Sequence, residues 1–584
     1  MRLRFLLIAA SALIAGPALA GPAEDFQKLQ ADYWAATLKD APLFATQVGV
    51  KDYDRLLGTL SLTEMDRQAA QSAAFLARLE AIPAASLSTA DQANLAVLQR
   101  QLEDAIAANR FGQRQLLYSI LGSYHDNLAG FHESIPFRSA ADYDNYLARL
   151  ELIPDRMRAY GEISLKAASE GYVQPCVTMV NFPSTISGNI AADPARSRFY
   201  DPFAAKRPEN IGAAEWAALQ ARARTVIGTR VNPSYQAFAD VYDRQLKGKC
   251  RQSVGVSAMP QGEEYYRYLV KSYTTTDLTP ARIHEIGVNE VARIRAEMVQ
   301  VATKAGFASR EAMIADMRTN PKWYAKSPEE LLAATATMAK TIDGKMPSLV
   351  GRLARLPYGI RAMPLATAPG DTTARYQSGS PDAGLAGFYL VNTTKLDQRP
   401  LWEIPALTVH EAVPGHHMQI ALQQELEMPD WRRYTAFFTA FVEGWGLYSE
   451  RLGIEMGIYD TPQKDMGRLG YEMWRAARLV VDTGIHSKGW SKERAVAFMK
   501  DNTTLTDANI DAEVNRYISN PGQALAYKLG ELKIRELRAK AEKRLGEKFD
   551  LRRFHDAVLG QGSVPLDTLE AQVNAWIAAE EAKG

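Results

Sequence analysis

The sequence predicts a mainly α-helical protein with one small β-sheet placed just before a histidine cluster. Three observations predict it. Apolar residues recur at three-to-four spacing in segment after segment of the 584-residue chain. Strand-like sequence is confined to residues 356–400, where Pro, Gly, Ser and Thr crowd together. No repeat of fixed period and no low-complexity tract breaks the helical pattern.

In chain order, "MRLRFLLIAASALIAGPALA" has two arginines, an apolar run and Ala18-Leu19-Ala20. That order reads as a signal peptide, residues 1–20, cut after Ala20. The run is short for a membrane span and no second one follows. No cysteine follows the cleavage point, so the expectation is a soluble, unlipidated protein secreted across the inner membrane into the periplasm. Formal charge is +1, from 68 basic and 67 acidic residues, which gives nucleic acid no footing. The two cysteines, Cys176 and Cys250, could pair in an oxidising compartment or stay apart, and spacing alone leaves both open.

Residues 21–355 form an N-terminal helical region, with helices predicted over 24–40, 90–109, 263–275, 280–306 and 328–346. Residues 356–584 form a catalytic region, ending in a long amphipathic helix at 526–546. Between them, "GFYLVNT" at 387–393 reads as a strand and the preceding "ARYQSGSPDAGLAG" as turns. A strand at a sheet edge can pair with an extended peptide. Gly387, Phe388 and Tyr389 are therefore candidate substrate-binding residues. The loop at 174–189 is the other irregular stretch.

The chemistry concentrates in "TVHEAVPGHHMQ", residues 408–419, which holds three of the eight histidines. A catalytic zinc site needs three protein ligands and an open position. His410 and His416 are six apart, about 9 Å of rise and about 240° of turn on an unbroken helix, which forbids shared ligation. Pro414 lacks the N–H that would bond the His410 carbonyl, and Gly415 adds backbone freedom, so the helix must deform between the two histidines. His416 is the preferred second ligand. His417, nearly in phase but farther along, is the rival; otherwise it faces substrate or backs a ligand. By contrast, His284-Glu285 has no second histidine and reads as plain helix.

Glu443 sits among Phe441, Trp445 and Tyr448, where an ionised carboxylate is costly unless it pairs or binds metal. It is the third candidate ligand, with an ion pair to Arg478 as the competing reading. Glu450 shares its helix face and could bond a ligand histidine or substrate. Glu411 follows a ligand directly and suits a general base acting on water. An oxyanion donor is also needed. Tyr527 is the first candidate and His486 the second, although Asp482 could hold His486 in a structural role.

"HEAVPGHH", "FVEGWGLYSERLG", "RLVVDTGIH" and "NPGQALAYKLGELKI" together resemble the signatures of the bacterial domain-of-unknown-function family numbered 885. The resemblance spans most of the mature chain. It implies likeness to gluzincin peptidases, mostly helical around a deep cleft, with two histidines and a downstream glutamate holding one Zn2+ per chain. On that resemblance His410, His416 and Glu443 match the ligands, Glu411 the base and Tyr527, loosely, the oxyanion donor. The lengthened spacing between the histidines departs from the better-known peptidases. The leading expectation is an exported zinc metallopeptidase acting on short peptides. The alternatives are a peptide-binding protein on a metal-free scaffold and a hydrolase of another amide, such as a cell-wall bond. Oligomeric state is not legible in the sequence.

Overall fold

Helix starts follow the capping chemistry of the sequence. Ser61, Ser88, Thr279, Ser327, Thr461, Ser491 and Thr506 each stand at an N-cap, where the side-chain oxygen accepts from the backbone N–H three residues on. The computed structural model describes residues 21–583, apart from 121, 366–367, 369–371 and 382–383. The segment read as a signal peptide lies outside the described residues. Every helix predicted from periodicity is present: Pro22–Asp40, Thr89–Asn109, Gly262–Thr274, Pro280–Lys304, Pro328–Asp343 and Ala526–Leu545. The fold is mainly α. No described helix is long and apolar enough to cross a membrane.

Among the described residues, one sheet of three strands interrupts the helices: β1 (Tyr358–Ala362), β2 (Ala374–Gln377) and β3 (Gly387–Val391). Their order is β1-β3-β2. β3 runs parallel to β1, with Tyr358 opposite Gly387, and antiparallel to β2, with Ala374 opposite Val391. This corrects two expectations. β3 is the central strand, so both rows of its backbone groups are already paired and it cannot dock a peptide as an edge. And "ARYQ", read as turn, is a strand, because its partner on β3 lies across a loop that local sequence does not reveal.

Burial divides among several cores. Residues 118–246 form a separate aromatic-rich core. A second joins early helices (Phe26, Leu98, Leu102) to Val409, Met418, Trp445, Tyr448 and Ile534. A third is built on Pro462–Lys488, which packs along Pro280–Lys304. The sheet contributes Tyr389 and Val391 to a fourth, shared with Ile404, Leu407 and Ala412. The histidine motif contributes to the second and fourth of these, so its backbone is fixed from several sides. Cys176 and Cys250 form a disulfide, with Cα atoms 4.8 Å apart.

Candidate metal centre

The helix does break where Pro414 and Gly415 predict it. Ile404–Glu411 is one helix, residues 412–415 turn, and a second helix begins at His416. The Val413–Pro414 peptide is cis. Glycine is required at 415 because a Cβ there would lie 2.0 Å from the His410 carbonyl oxygen, the group that Pro414 cannot bond. Trp445 Nε1 donates to the Pro414 carbonyl at 2.7 Å and fastens the turn to the neighbouring helix, Thr439–Leu452. The same helix presents Gly446 to His410. A Cβ there would meet the imidazole at 2.8 Å, so the missing side chain makes room for the ring.

This turn brings the two histidines together with Glu443. Glu443 Oε2 lies 3.6 Å from His410 Nε2 and 3.4 Å from His416 Nε2, and one ligand atom from each residue falls within 4.8 Å of the others. These separations are long for hydrogen bonds, and Glu443 Oε2, although buried, has no hydrogen-bond partner among the described residues. The two glutamate–histidine separations do match the edge of a tetrahedron: ligand bonds of about 2.0–2.1 Å place neighbouring donor atoms about 3.4 Å apart. His410, His416 and Glu443 could therefore hold one metal ion, through two imidazole nitrogens and a carboxylate oxygen.

Behind this set, His410 Nδ1 donates to Glu450 Oε1 at 2.9 Å, which turns Nε2 toward Glu443. Arg475 reaches the same Glu450 oxygen at 3.2 Å. Its guanidinium lies between the Tyr471 and Trp474 rings, 4.6 Å from each centroid. Tyr459 donates its hydroxyl to the Glu450 carbonyl at 2.5 Å. Burial works against charge on His410, but Glu443 and Glu450 outweigh it and push the imidazole up to about 9. Burial likewise opposes the Glu443 carboxylate, and the two histidines hold it well below the usual range. Glu411, Glu443 and Glu450 bring three carboxylates to one buried place, a donor set short of positive charge.

Glu411 ends its helix beside His410 and is buried, and its side chain makes no hydrogen bond or ion pair among the described residues. Tyr527, at the start of Ala526–Leu545, is close enough for the Glu443 charge to add to burial in raising its hydroxyl. Its ring lies under the Arg478 guanidinium at 4.5 Å. Arg478 itself bonds Glu513 and the Tyr517 hydroxyl, so it is not the partner of Glu443.

Other predicted site residues are held elsewhere. His417 Nε2 donates to the Leu356 carbonyl and its Nδ1 accepts from the Tyr376 hydroxyl, both at 3.0 Å. Both nitrogens are spent and the ring is buried, so it pins the sheet and faces neither metal nor substrate. Burial pulls it down to about 4. Gly387 is filled over by Tyr376 and His417, Phe388 lies under the Arg361 guanidinium at 4.0 Å, and Tyr389 is fully buried. Gly387 and Tyr389 are closed over, and the half-buried Phe388 ring is engaged by Arg361.

His486 accepts from the Val256 N–H and donates to the Tyr517 carbonyl, each at 3.0 Å, which leaves no atom for an oxyanion. Asp482 does not hold it; that carboxylate accepts from Tyr266 and from the Gly522 N–H. His284 lies in plain helix, bonded to Thr483. The sequence pattern did not point to Arg475 or Tyr376. Arg475 carried a signal, since an arginine within the apolar run of Pro462–Lys488 needs a buried partner.

The fold is shared with solved bacterial structures. A "putative lipoprotein" from Colwellia psychrerythraea superposes with a TM-score of 0.88 at 28% identity, covering 95% of this chain and 99% of that one. A "putative lipoprotein of unknown function" from Shewanella oneidensis gives 0.72 at 18% identity, covering 94% and 99%. No curated protein matches the sequence. The family model described as "Bacterial protein of unknown function (DUF885)" matches residues 42–573, nearly the whole chain, and the chain belongs to that family.

Proposed function

We propose that this protein is an exported, zinc-dependent metallopeptidase that hydrolyses short peptides. The observation that carries the reading is the approach of His410 Nε2 and His416 Nε2 to Glu443 Oε2, at 3.6 and 3.4 Å, with the Glu443 oxygen buried and otherwise unpartnered among the described residues. Bound there, zinc would supply Lewis acidity toward a carbonyl and a water acidified for attack. Glu450 and Arg475 orient His410. Glu411, which no described residue engages, takes the proton from the attacking water and passes it to the leaving amine. The Tyr527 hydroxyl donates to the carbonyl oxygen as its charge develops. Export is supported by the leader-like first twenty residues and by the Cys176–Cys250 disulfide, a bond of oxidising compartments.

The test combines elemental analysis with hydrolysis of a short-peptide library. The purified mature chain should carry about one zinc, and Glu411→Gln should keep it while losing about 10²–10⁴-fold in turnover. A zinc-loaded wild type that cleaves no peptide, or a Glu411→Gln variant with near-normal turnover, would overturn the reading.

A further inference from the structure

The helix that carries Tyr527 meets the helix that carries Glu443 backbone to backbone. A Cβ on Gly444 would lie 2.6 Å from Gly530, and one on Gly530 would lie 2.8 Å from Gly444, so the two chains touch one residue from Glu443 and three from Tyr527. The Tyr527 side chain is half-buried there. Its hydroxyl has one contact among the described residues, from Gln523 Nε2 at 3.5 Å. That bond is long and uses the phenol oxygen as acceptor, so it leaves the hydroxyl proton uncommitted and does little to aim it. The ring is held across its face instead, by the Arg478 guanidinium 4.5 Å from the centroid. A planar cation on a ring face is favoured, the more so where water is excluded, and Arg478 is buried.

Two helices fix Arg478 in turn. On Pro462–Lys488, Trp474 stands one turn before it and places its ring 4.4 Å from the same guanidinium. On Asp507–Ser519, Glu513 and Tyr517 are four residues apart on one face, and both accept from it. Arg478 Nε donates to the Tyr517 hydroxyl at 3.0 Å and a terminal nitrogen donates to Glu513 at 3.1 Å. Trp474 Nε1 donates to the same Tyr517 hydroxyl at 2.9 Å, which locks indole, guanidinium and phenol together. Glu513 does not depend on Arg478 for a counter-charge, since Arg516 donates to both of its oxygens, at 3.2 and 3.0 Å. Pairing with Glu513 therefore does not by itself account for a second buried guanidinium at this place.

We propose that Arg478 is a positioning residue for the Tyr527 hydroxyl: it fixes the phenol ring so that the O–H is aimed at a substrate carbonyl oxygen in the candidate metal centre. What the hydroxyl does rests on the peptidase reading; how the ring is held does not. Arg478 acts through the ring and touches no substrate. Its charge works in the same direction. Burial and Glu443 raise the Tyr527 hydroxyl, while Arg516 and Arg478 pull against them, which favours donation to a developing oxyanion.

The first measurement needs no turnover. In crystals of the full mature chain the Tyr527 ring should hold one orientation in wild type, and in Arg478→Met it should turn away or spread over several. A ring in the same single orientation overturns the proposal. The second is a double-mutant cycle on the zinc-loaded chain with a short peptide. Arg478→Met should lower kcat about ten- to a hundredfold, with KM and zinc content unchanged. With Tyr527→Phe already in place there is no hydroxyl to aim, so Arg478→Met should have no further effect. Arg478→Lys keeps the charge but lacks the planar fork and should recover only part of the loss. Equal losses in both backgrounds, as a merely structural fault would give, or an undiminished kcat in Arg478→Met, overturn the proposal. Thermal melting accompanies each variant. Should Arg478→Met fail to fold, Tyr517→Phe, which removes the hydroxyl that accepts from Arg478 Nε, takes its place in both measurements under the same criteria. A wild type that holds zinc but cleaves no peptide ends the peptidase reading, and the ring orientation then decides alone whether Arg478 positions Tyr527. Normal cleavage with equal losses ends this proposal and leaves that reading standing.

Discussion

At the scale of single residues, the two adjacent histidines have opposite roles, and hydrogen bonding decides which is which. His416 keeps Nε2 beside Glu443, whereas both nitrogens of His417 are bonded to Leu356 and Tyr376. His416→Ala and Glu443→Gln should each strip the metal, measured by elemental analysis. His417→Ala should retain it but lower the melting temperature, since it leaves a buried carbonyl and hydroxyl unpaired, at about 1–3 kcal/mol for each. Metal loss in His417→Ala with full occupancy in His416→Ala would reverse the assignment. Tyr527→Phe removes a hydroxyl that burial and the Glu443 charge both keep protonated. If it donates to the oxyanion, kcat should fall about 10²–10³-fold with zinc content unchanged. An undiminished kcat would return Tyr527 to the role of a ring packed under Arg478.

At the scale of elements, two short pieces of backbone set the geometry. Gly415→Ala would force a Cβ onto the His410 carbonyl, so the turn must open and His416 must leave Glu443. Loss of zinc together with a lower melting temperature is the expected result; a fully loaded variant would show that the turn tolerates a side chain. Tyr389→Pro would remove a donor from a strand paired on both sides. Melting should therefore collapse, where an edge strand would have shown a raised KM in a stable protein. The contrast shows what was legible. The break at Pro414-Gly415, the histidine pair and the costly Glu443 follow from local stereochemistry and charge, and all could be read from the sequence. β1 and β2 could not, because a strand's place in a sheet depends on partners far along the chain. The backbone acceptors of His417 and His486 lie 61 and 31 residues away, so two histidines that looked available were already spent.

For the whole molecule, buried titratable groups set a stability profile independent of the candidate metal centre. His125, His486 and His555 are fully buried, and burial pulls them down to about 4, 3 and 3. In the unfolded chain a histidine titrates near about 6.5. As pH falls below that value the unfolded chain takes up protons first. The stabilisation from neutral histidines is therefore complete above about 6.5 and lost as pH approaches 3–4. Glu513 adds to the loss at lower pH: burial opposes its charge, but Arg516 and Arg478 hold it down to about 2. Glu403 and Asp482 act in the opposite sense. Burial raises both to about 7, so the folded state keeps their protons longer, and acidification from pH 7 to about 4 favours folding through them. His417, also buried and pulled down to about 4, joins the histidine set, so the two carboxyls offset only part of the loss between pH 7 and about 4, and below that only the losses continue. Urea midpoints of the metal-free chain should decline gently from pH 7 to about 4.5 and then fall steeply. His555→Gln removes one of these four histidines and should soften the fall; a midpoint that declines evenly from pH 7 to pH 3, or that holds at pH 3, would show that these buried groups do not govern acid stability.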